Sequence, residues 1–292
     1  QDIGDMTEDS LINAMVGRTL DNLYPKEFGV KGDVWLEARN LNEAGVLHDV
    51  SFKAYGGQIT GFAGLVGAGR TETMRAIFGA DRLDSGEIYV KGEKVHIRTP
   101  KDAIKKKIAF LTEDRKGQGL VLSLDVRTNL ILANMKGFSN GPFLNKGKIE
   151  KSGQDNVESL RIKTPSLDEV TAQLSGGMAQ RVALARTLIC KPEILLLDEP
   201  LGALDSFTRM NMQDEILKIW QNNRQLAIMV THDVDEAVYM GTKVLVMEPH
   251  PGRVMGEIPI DLEYPRNRSS AKFVEYRNQI LDMLHFGSRE KD

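Results

Sequence analysis

The chain has 292 residues, 41% of them hydrophobic and 27% charged, which is enough for one or two globular domains with a large core. Its 38 Lys and Arg against 41 Asp and Glu leave a formal net charge of −3, so the chain as a whole gives no reason to expect nucleic acid or an anionic membrane as partner. Cys190 is the single cysteine, which excludes an intrachain disulfide and a cysteine metal cluster, and no apolar run approaches the roughly 20 residues of a membrane helix.

The chain opens on Gln1-Asp2, without Met and without a signal-peptide core, as a fragment could. Thr7 with Glu8 and Asp9 starts a helix whose apolar stripe is Leu11, Ile12, Met15 and Val16. Gly17 ends it, and Pro25, Gly29 and Gly32 mark a linker. From Val34 to Phe52 apolar residues alternate, which predicts strands of an antiparallel edge. Gln58 to Ala63 then reads as a short strand leading into Gly64-Leu-Val-Gly-Ala-Gly-Arg-Thr71.

That segment follows the pattern G-x-x-x-x-G-K-[ST] of a phosphate-binding loop, with Arg70 where lysine is expected. Gly64, Gly67 and Gly69 free the backbone, so that the N–H groups around Ala68, Arg70, Thr71 and Glu72 can turn toward phosphate oxygens. The helix that follows carries Met74, Ile77 and Phe78 on one face, stops at Gly79, and adds partial positive charge at its N-terminus. Thr71 is placed to reach Mg²⁺. Arg70 keeps a positive charge as a planar fork on a longer stem, so nucleotide binding is expected to survive better than turnover. Taken alone, the segment could also be no more than a glycine-rich turn.

Downstream, Ser85 to Gly92 reads as a strand, Lys101 to Lys107 as a basic helical run, and Ile108 to Thr112 as a buried strand ending at Glu113. Residues 116–190 have a helical texture, with helices expected over Val126 to Met135 and Lys148 to Leu160. Leu174-Ser-Gly-Gly-Met178 opens a further helix, capped by Ser175 and lined on one face by Met178, Val182, Ala185 and Leu188. Gly176 and Gly177 at a helix start suit the close approach of an anion.

Ile194-Leu-Leu-Leu-Asp198-Glu199 is a strand buried on both faces, as parallel sheets require. Its two carboxylates fall where open α/β sheets bind ligands. Asp198 can serve Mg²⁺ and Glu199 can polarise an attacking water. Leu226 to Thr231 repeats the pattern and delivers His232 to the same sheet edge. A last helix carries Phe273, Tyr276, Ile280 and Leu284 on one stripe.

In this order, the phosphate loop, Leu-Ser-Gly-Gly, Ile194 to Pro200, Ala203-Leu204-Asp205 and Thr231-His232-Asp233 resemble the ATPase subunit of ABC transporters. The resemblance implies an α/β P-loop NTPase fold with a mainly parallel core sheet, an antiparallel β edge subdomain and an inserted helical subdomain. It divides the chain into an N-terminal helix and linker over 1–33, an ATPase domain over 34–248, and a tail with an amphipathic helix over 249–292. Within the ATPase domain it implies a core of 34–115 and 191–248 around a helical subdomain of 116–190. ATP and Mg²⁺ are the implied ligands, and the implied active species is a head-to-tail dimer of two copies. In it Ser175, Gly176 and Gly177 contact the γ-phosphate held by the other subunit, Asp205 links the two sites, and His232 is the switch histidine. Glu113 stands where most members have a glutamine that links Mg²⁺ to the membrane partner. No aromatic residue precedes the loop around Leu41 to Ala44 to stack on adenine. Transmembrane permease subunits are the implied partners, docking near 114–160, which places the chain in the cytoplasm at the inner face of the membrane.

Residues 1 to about 175 are similar to the second cassette of ribose/galactose importers, through Met15-Val-Gly-Arg18, Tyr24-Pro25, the arginine-bearing loop, Phe78-Gly79 and Thr112-Glu-Asp-Arg-Lys116. From about 178 the wording is similar to nitrate/sulfonate/taurine importer ATPases, through Gln180 to Arg186, Asp198 to Asp205, Thr231 to Val238 and Pro251-Gly-Arg253. A chimera joined near Leu-Ser-Gly-Gly is therefore expected, with an unusual natural relative as the alternative. A nucleotide-binding fold with little or no hydrolysis is the alternative function. A DNA-maintenance ATPase of the related head-domain type is set aside, because no sustained heptads separate Gly64 from Leu174.

Overall fold

In a computed structural model, residues 32–202 and 204–289 are described. The helix expected over 7–17 lies outside them. The elements run β1 (Val34–Glu43), β2 (Leu47–Tyr55), β3 (Ile59–Gly64), α1 (Arg70–Phe78), β4 (Ser85–Val90), β5 (Glu93–Val95), α2 (Pro100–Lys105) and β6 (Ile108–Leu111). Then follow α3 (Val126–Ile131), β7 (Ser139–Asn140), β8 (Phe143–Leu144), α4 (Lys146–Ser159) and α5 (Gly176–Leu188). The chain closes with β9 (Ile194–Asp198), α6 (Ser206–Asn223), β10 (Leu226–Thr231), α7 (Val234–Met240), β11 (Lys243–Glu248), β12 (Arg253–Pro259) and α8 (Ala271–Arg289).

Two sheets organise the fold. A four-stranded antiparallel sheet has the order β2-β1-β4-β5. A six-stranded sheet has the order β12-β11-β3-β10-β9-β6, parallel except for β12. Strands β3, β9 and β10 are buried at every residue, and their apolar runs leave no polar face to turn toward water. Between the sheets, Phe52 meets Phe62 edge-on with ring centroids 5.0 Å apart.

The register of the parallel strands sets the functional edge. Thr231 pairs with Ala63, and Val230 pairs with Asp198, so β3, β9 and β10 end together. The phosphate loop, the carboxylate pair and His232 all emerge there. The antiparallel edge, the mainly parallel core and the helical insertion are all present as the sequence predicts.

Helices α3, α4 and α5 pack through Leu130, Ile149, Val182 and Leu184 onto Leu195, Leu197 and Met229 of the sheet. Helix α5 is buried at every position from Ala179 to Ala185, more than the one-face stripe expected, because it is wedged between the other helices and the sheet. The helical region also contains a hairpin, β7–β8, which the sequence reading missed. Past residue 248, β12 extends the sheet antiparallel to β11, and α8 covers this edge with Phe273, Ile280 and Leu284 against Val238, Val244 and Val246. Each such side chain, fully buried, contributes roughly 1.5–3 kcal/mol.

Candidate functional site

Between β3 and α1 the chain makes a tight loop that only small residues allow. A Cβ on Gly64 would lie 2.8 Å from the Met247 carbonyl oxygen. Gly67 and Gly69 sit at φ 82° and 73°, the left-handed region that glycine takes without strain. Leu65 and Val66 are exposed at the mouth, whereas Ala68 is buried. The His250 ring lies against Gly67, where a Cβ would come 3.1 Å from Cε1. Gly69 caps α1 without a side-chain hydrogen bond, so the first N–H groups of the helix stay directed at the loop. Glu72, in that first turn, is half-buried.

Thr71 Oγ1 donates to Asp198 Oδ1 at 2.8 Å. Asp198 is 1% exposed, and its other oxygen, Oδ2, has no hydrogen-bond partner. Burial pushes its carboxyl up to about 6; the charges of Glu113 and Glu199 act in the same direction, and the Thr71 hydrogen bond opposes them. Glu113 itself is exposed just past β6. An orphaned, buried carboxylate oxygen beside a hydroxyl at a phosphate loop fits the needs of Mg²⁺, which takes few protein oxygens and keeps phosphate or water oxygens as its other ligands. Among the described residues no group of three or more His, Cys, Asp or Glu could hold a metal without such help.

Glu199 follows at φ 43°, left-handed for a residue with a Cβ. Its carboxylate Oε2 lies 2.8 Å from Nδ1 of His232, whose ring is 61% exposed. Its Oε1 lies 3.8 Å from Arg70 Nη1. Arg70 is buried, and the same Nη1 donates to the Thr231 carbonyl. Gly64, Gly67, Ala68, Gly69, Arg70, Thr71, Asp198, Glu199 and His232 are thus gathered at one edge of the sheet.

Ser175, Gly176, Gly177 and Asp205 form a separate group. Ser175 caps α5 through a hydrogen bond from Met178 N at 3.4 Å, and Ser175 and Gly176 are exposed. A Cβ on Gly177 would meet Thr208 Cγ2 at 3.2 Å, so this helix start packs beside that of α6. Asp205 caps α6 by accepting from Thr208 N at 3.0 Å, and bonds from the backbone and hydroxyl of Thr208 hold its carboxyl below the usual range. Among the described residues, no hydrogen bond or ion pair joins this group to the loop at 64–71.

Two features escaped the sequence reading. Gln180 Nε2 donates to the Pro200 carbonyl at 2.7 Å, tying α5 to the turn after the carboxylate strand; the residue lies off the apolar stripe expected for that helix, and only its place in the motif Gln180 to Arg186 marked it. A cleft of about 530 Å³ beside the loop is lined by Asn42, Glu43, His48, Asp84, His250 and Pro251 among others, with no Phe, Tyr or Trp in its wall.

The family model described as ABC transporter matches residues 47–202. A ribose import ATP-binding protein of Rubrobacter xylanophilus is 38% identical over 258 residues, 88% of this chain and 51% of that protein. A galactose/methyl galactoside import ATP-binding protein of Photobacterium profundum is 39% identical over 252 residues, 86% of this chain and 50% of that protein. The chain thus spans about half the length of the curated relatives it matches. Matches this long cross the Leu-Ser-Gly-Gly segment, so similarity to sugar-importer subunits is not confined to the first 175 residues. Among solved structures, the dimeric ATP-binding cassette MJ0796 bound to ADP and Pi superposes with a TM-score of 0.66 at 22% identity, covering 78% of this chain and all of that one, a likeness of fold.

Proposed function

The chain belongs to the ABC transporter family, and we propose that it is the ATP-binding subunit of a sugar importer, hydrolysing Mg-ATP as a head-to-tail dimer. The observation that carries this reading is the meeting of Thr71–Asp198 and Glu199–His232 at one sheet edge, beside a glycine loop at a helix N-terminus. Sugar is the substrate class because the matched relatives are ribose and galactose importer subunits.

The backbone of Gly64 to Thr71, with the first turn of α1, binds the phosphates. Thr71 and Asp198 would hold Mg²⁺, which supplies positive charge against the phosphate oxygens when bound. Glu199 orients and deprotonates the attacking water, and His232, hydrogen-bonded to it, fixes the carboxylate. Ser175 and Gly176 face solvent, Gly177 is half-buried beside Thr208, and none of the three has a hydrogen bond to the chain's own loop, which suits a role at the loop of a second copy. Permease subunits would dock on the helical subdomain at the inner face of the membrane. No described helix is long and apolar enough to cross a membrane, so contact with it would run through those partners.

The test is phosphate release from Mg-ATP over a range of protein concentrations, beside Glu199→Gln. A rate that rises faster than linearly and vanishes in Glu199→Gln supports a dimeric ATPase. No rate above that variant leaves the second reading, a nucleotide-binding fold without turnover, which an arginine at the lysine position of the loop pattern favours.

The motif wording after Met178 supports a finer reading, a join between two importer lineages near Leu174. Hydrogen exchange tests it: a weakly protected seam at that point is expected of a recent join, and uniform protection counts against one.

A further inference from the structure

Arg70 sits at the lysine position of the loop pattern, yet its side chain leads elsewhere. Its stem folds back against the first glycine of the loop, where a Cβ on Gly64 would lie 3.3 Å from Arg70 Cδ. Nη1 then donates to the Thr231 carbonyl at the end of β10, and stands 3.8 Å from Glu199 Oε1, both side chains being 9% exposed. The second oxygen of that carboxylate is held by His232 at 2.8 Å. Glu199 is therefore flanked on two sides, hydrogen-bonded through Oε2 to His232 and in a looser ion pair through Oε1 with Arg70. The loop mouth, by contrast, is formed by Leu65, Val66 and Gly67, all exposed.

A guanidinium suits this place. It is more weakly hydrated than an ammonium, and its planar fork can serve a carbonyl while facing a carboxylate. Removing it would leave Glu199 as a buried charge with only a largely exposed histidine beside it. The backbone amides of the loop need no side chain to bind phosphate.

Building on the ATPase reading above, we propose that Arg70 is a positioning residue for Glu199, fixing its carboxylate opposite His232, so that it serves the hydrolytic step and not the binding of phosphate.

Steady-state kinetics and equilibrium Mg-ATP binding on the full chain test this. In Arg70→Met, which keeps the stem and loses the donors, kcat is expected to fall by about tenfold or more while KM and Kd stay within about threefold. Arg70→Lys, which keeps a charge without the fork, is expected to recover part of kcat, again at unchanged KM. It also carries the test if Arg70→Met does not fold. A Kd raised by about thirtyfold or more at unchanged kcat would overturn the proposal and make Arg70 a phosphate ligand. A second arm needs no nucleotide: melting temperatures of wild type, Arg70→Met, Glu199→Gln and the double variant should be non-additive, the Gln offsetting the loss caused by the Met. Strict additivity overturns the proposal. Absence of ATP turnover in the wild type would overturn the ATPase reading alone, and this second arm then decides the Arg70–Glu199 link.

Discussion

Thr71 Oγ1 and Asp198 Oδ1 are joined by a 2.8 Å hydrogen bond that spans from the start of α1 to the end of β9, across the intervening strand β10. It leaves Asp198 with one satisfied oxygen and one orphan, and it accounts for only part of what burial takes from that carboxylate.

A pH dependence follows. Unfolded, Asp198 ionises near 3.8; folded, it ionises at about 6. Between those values the folded protein keeps a proton that the unfolded chain releases, so stability falls as pH rises through the window. The full difference is roughly 3 kcal/mol, from 1.4 kcal/mol per pH unit. In Mg²⁺-free buffer, Asp198→Asn should flatten this fall between about pH 4 and 6 and melt higher than wild type at pH 7.5. It should also lose any rise in melting temperature that Mg-ATP gives the wild type. Thermal melts across pH check both outcomes, and an unchanged pH profile in Asp198→Asn would refute the assignment.

Arg181 on α5 and Glu215 on α6 form a buried ion pair, and the same Arg181 Nη1 donates to the Leu160 carbonyl at 2.6 Å. Arg181→Met takes the donor from both partners at once and leaves Glu215, already pushed upward by burial, without its ion-pair partner and with only the more distant charges of Arg161 and Lys218. Removing one partner of a buried pair costs about 3–5 kcal/mol. Urea unfolding should show a loss of this size, with most of it recovered in Arg181→Met/Glu215→Leu, where no charge remains buried.

Much of the site was legible because the chemistry sits in short local patterns. Ile194 to Asp198 reads as a strand buried on both faces, and Ser175 announces a helix that the structure caps through its side chain; the same capping by Asp205 and Asp233 at α6 and α7 was not read from the sequence. The orientation of Arg70 was not legible, since it depends on the Thr231 carbonyl, 161 residues away in sequence, and on Glu199. The hairpin β7–β8 did leave a signal, Asn140-Gly141, with Gly141 at φ 61° opening the two-residue loop, but it was masked by the helical texture on both sides. Strand β12 alternates only weakly and gains its order by pairing with β11.

Gly64 and Gly92 offer a matched contrast. At Gly92, φ is 82° and a Cβ would meet nothing within 4 Å, so Gly92→Ala costs only the backbone strain, of order 1–2 kcal/mol. At Gly64 the added Cβ would lie 2.8 Å from the Met247 carbonyl and 3.1 Å from Ala68 Cβ, so the loop itself must shift. Gly64→Ala should therefore weaken Mg-ATP binding by about tenfold or more, because misplaced amides lose their aim, whereas Gly92→Ala, on a turn between β4 and β5, should leave binding unchanged. Titration with a fluorescent ATP analogue separates the two.

Phe207 and Met210, beside Asp205 at the start of α6, are 74% and 57% exposed. Ser175 and Gly176 open to solvent on the adjoining helix start, which packs against Thr208 through Gly177. Large apolar side chains standing free next to a polar helix end are what a pairing surface needs, an anchor beside groups that recognise the partner. In the Glu199→Gln background, where ATP is not consumed, Phe207→Glu is expected to remain monomeric under saturating Mg-ATP at concentrations that dimerise the parent. Its melting temperature should not change, since the side chain touches little of its own chain. Sedimentation velocity with and without Mg-ATP reads the difference. Dimerisation as strong as the parent's would show that this edge lies outside the pairing surface, and the head-to-tail arrangement that sets Ser175 opposite a partner's phosphate loop would fall with it.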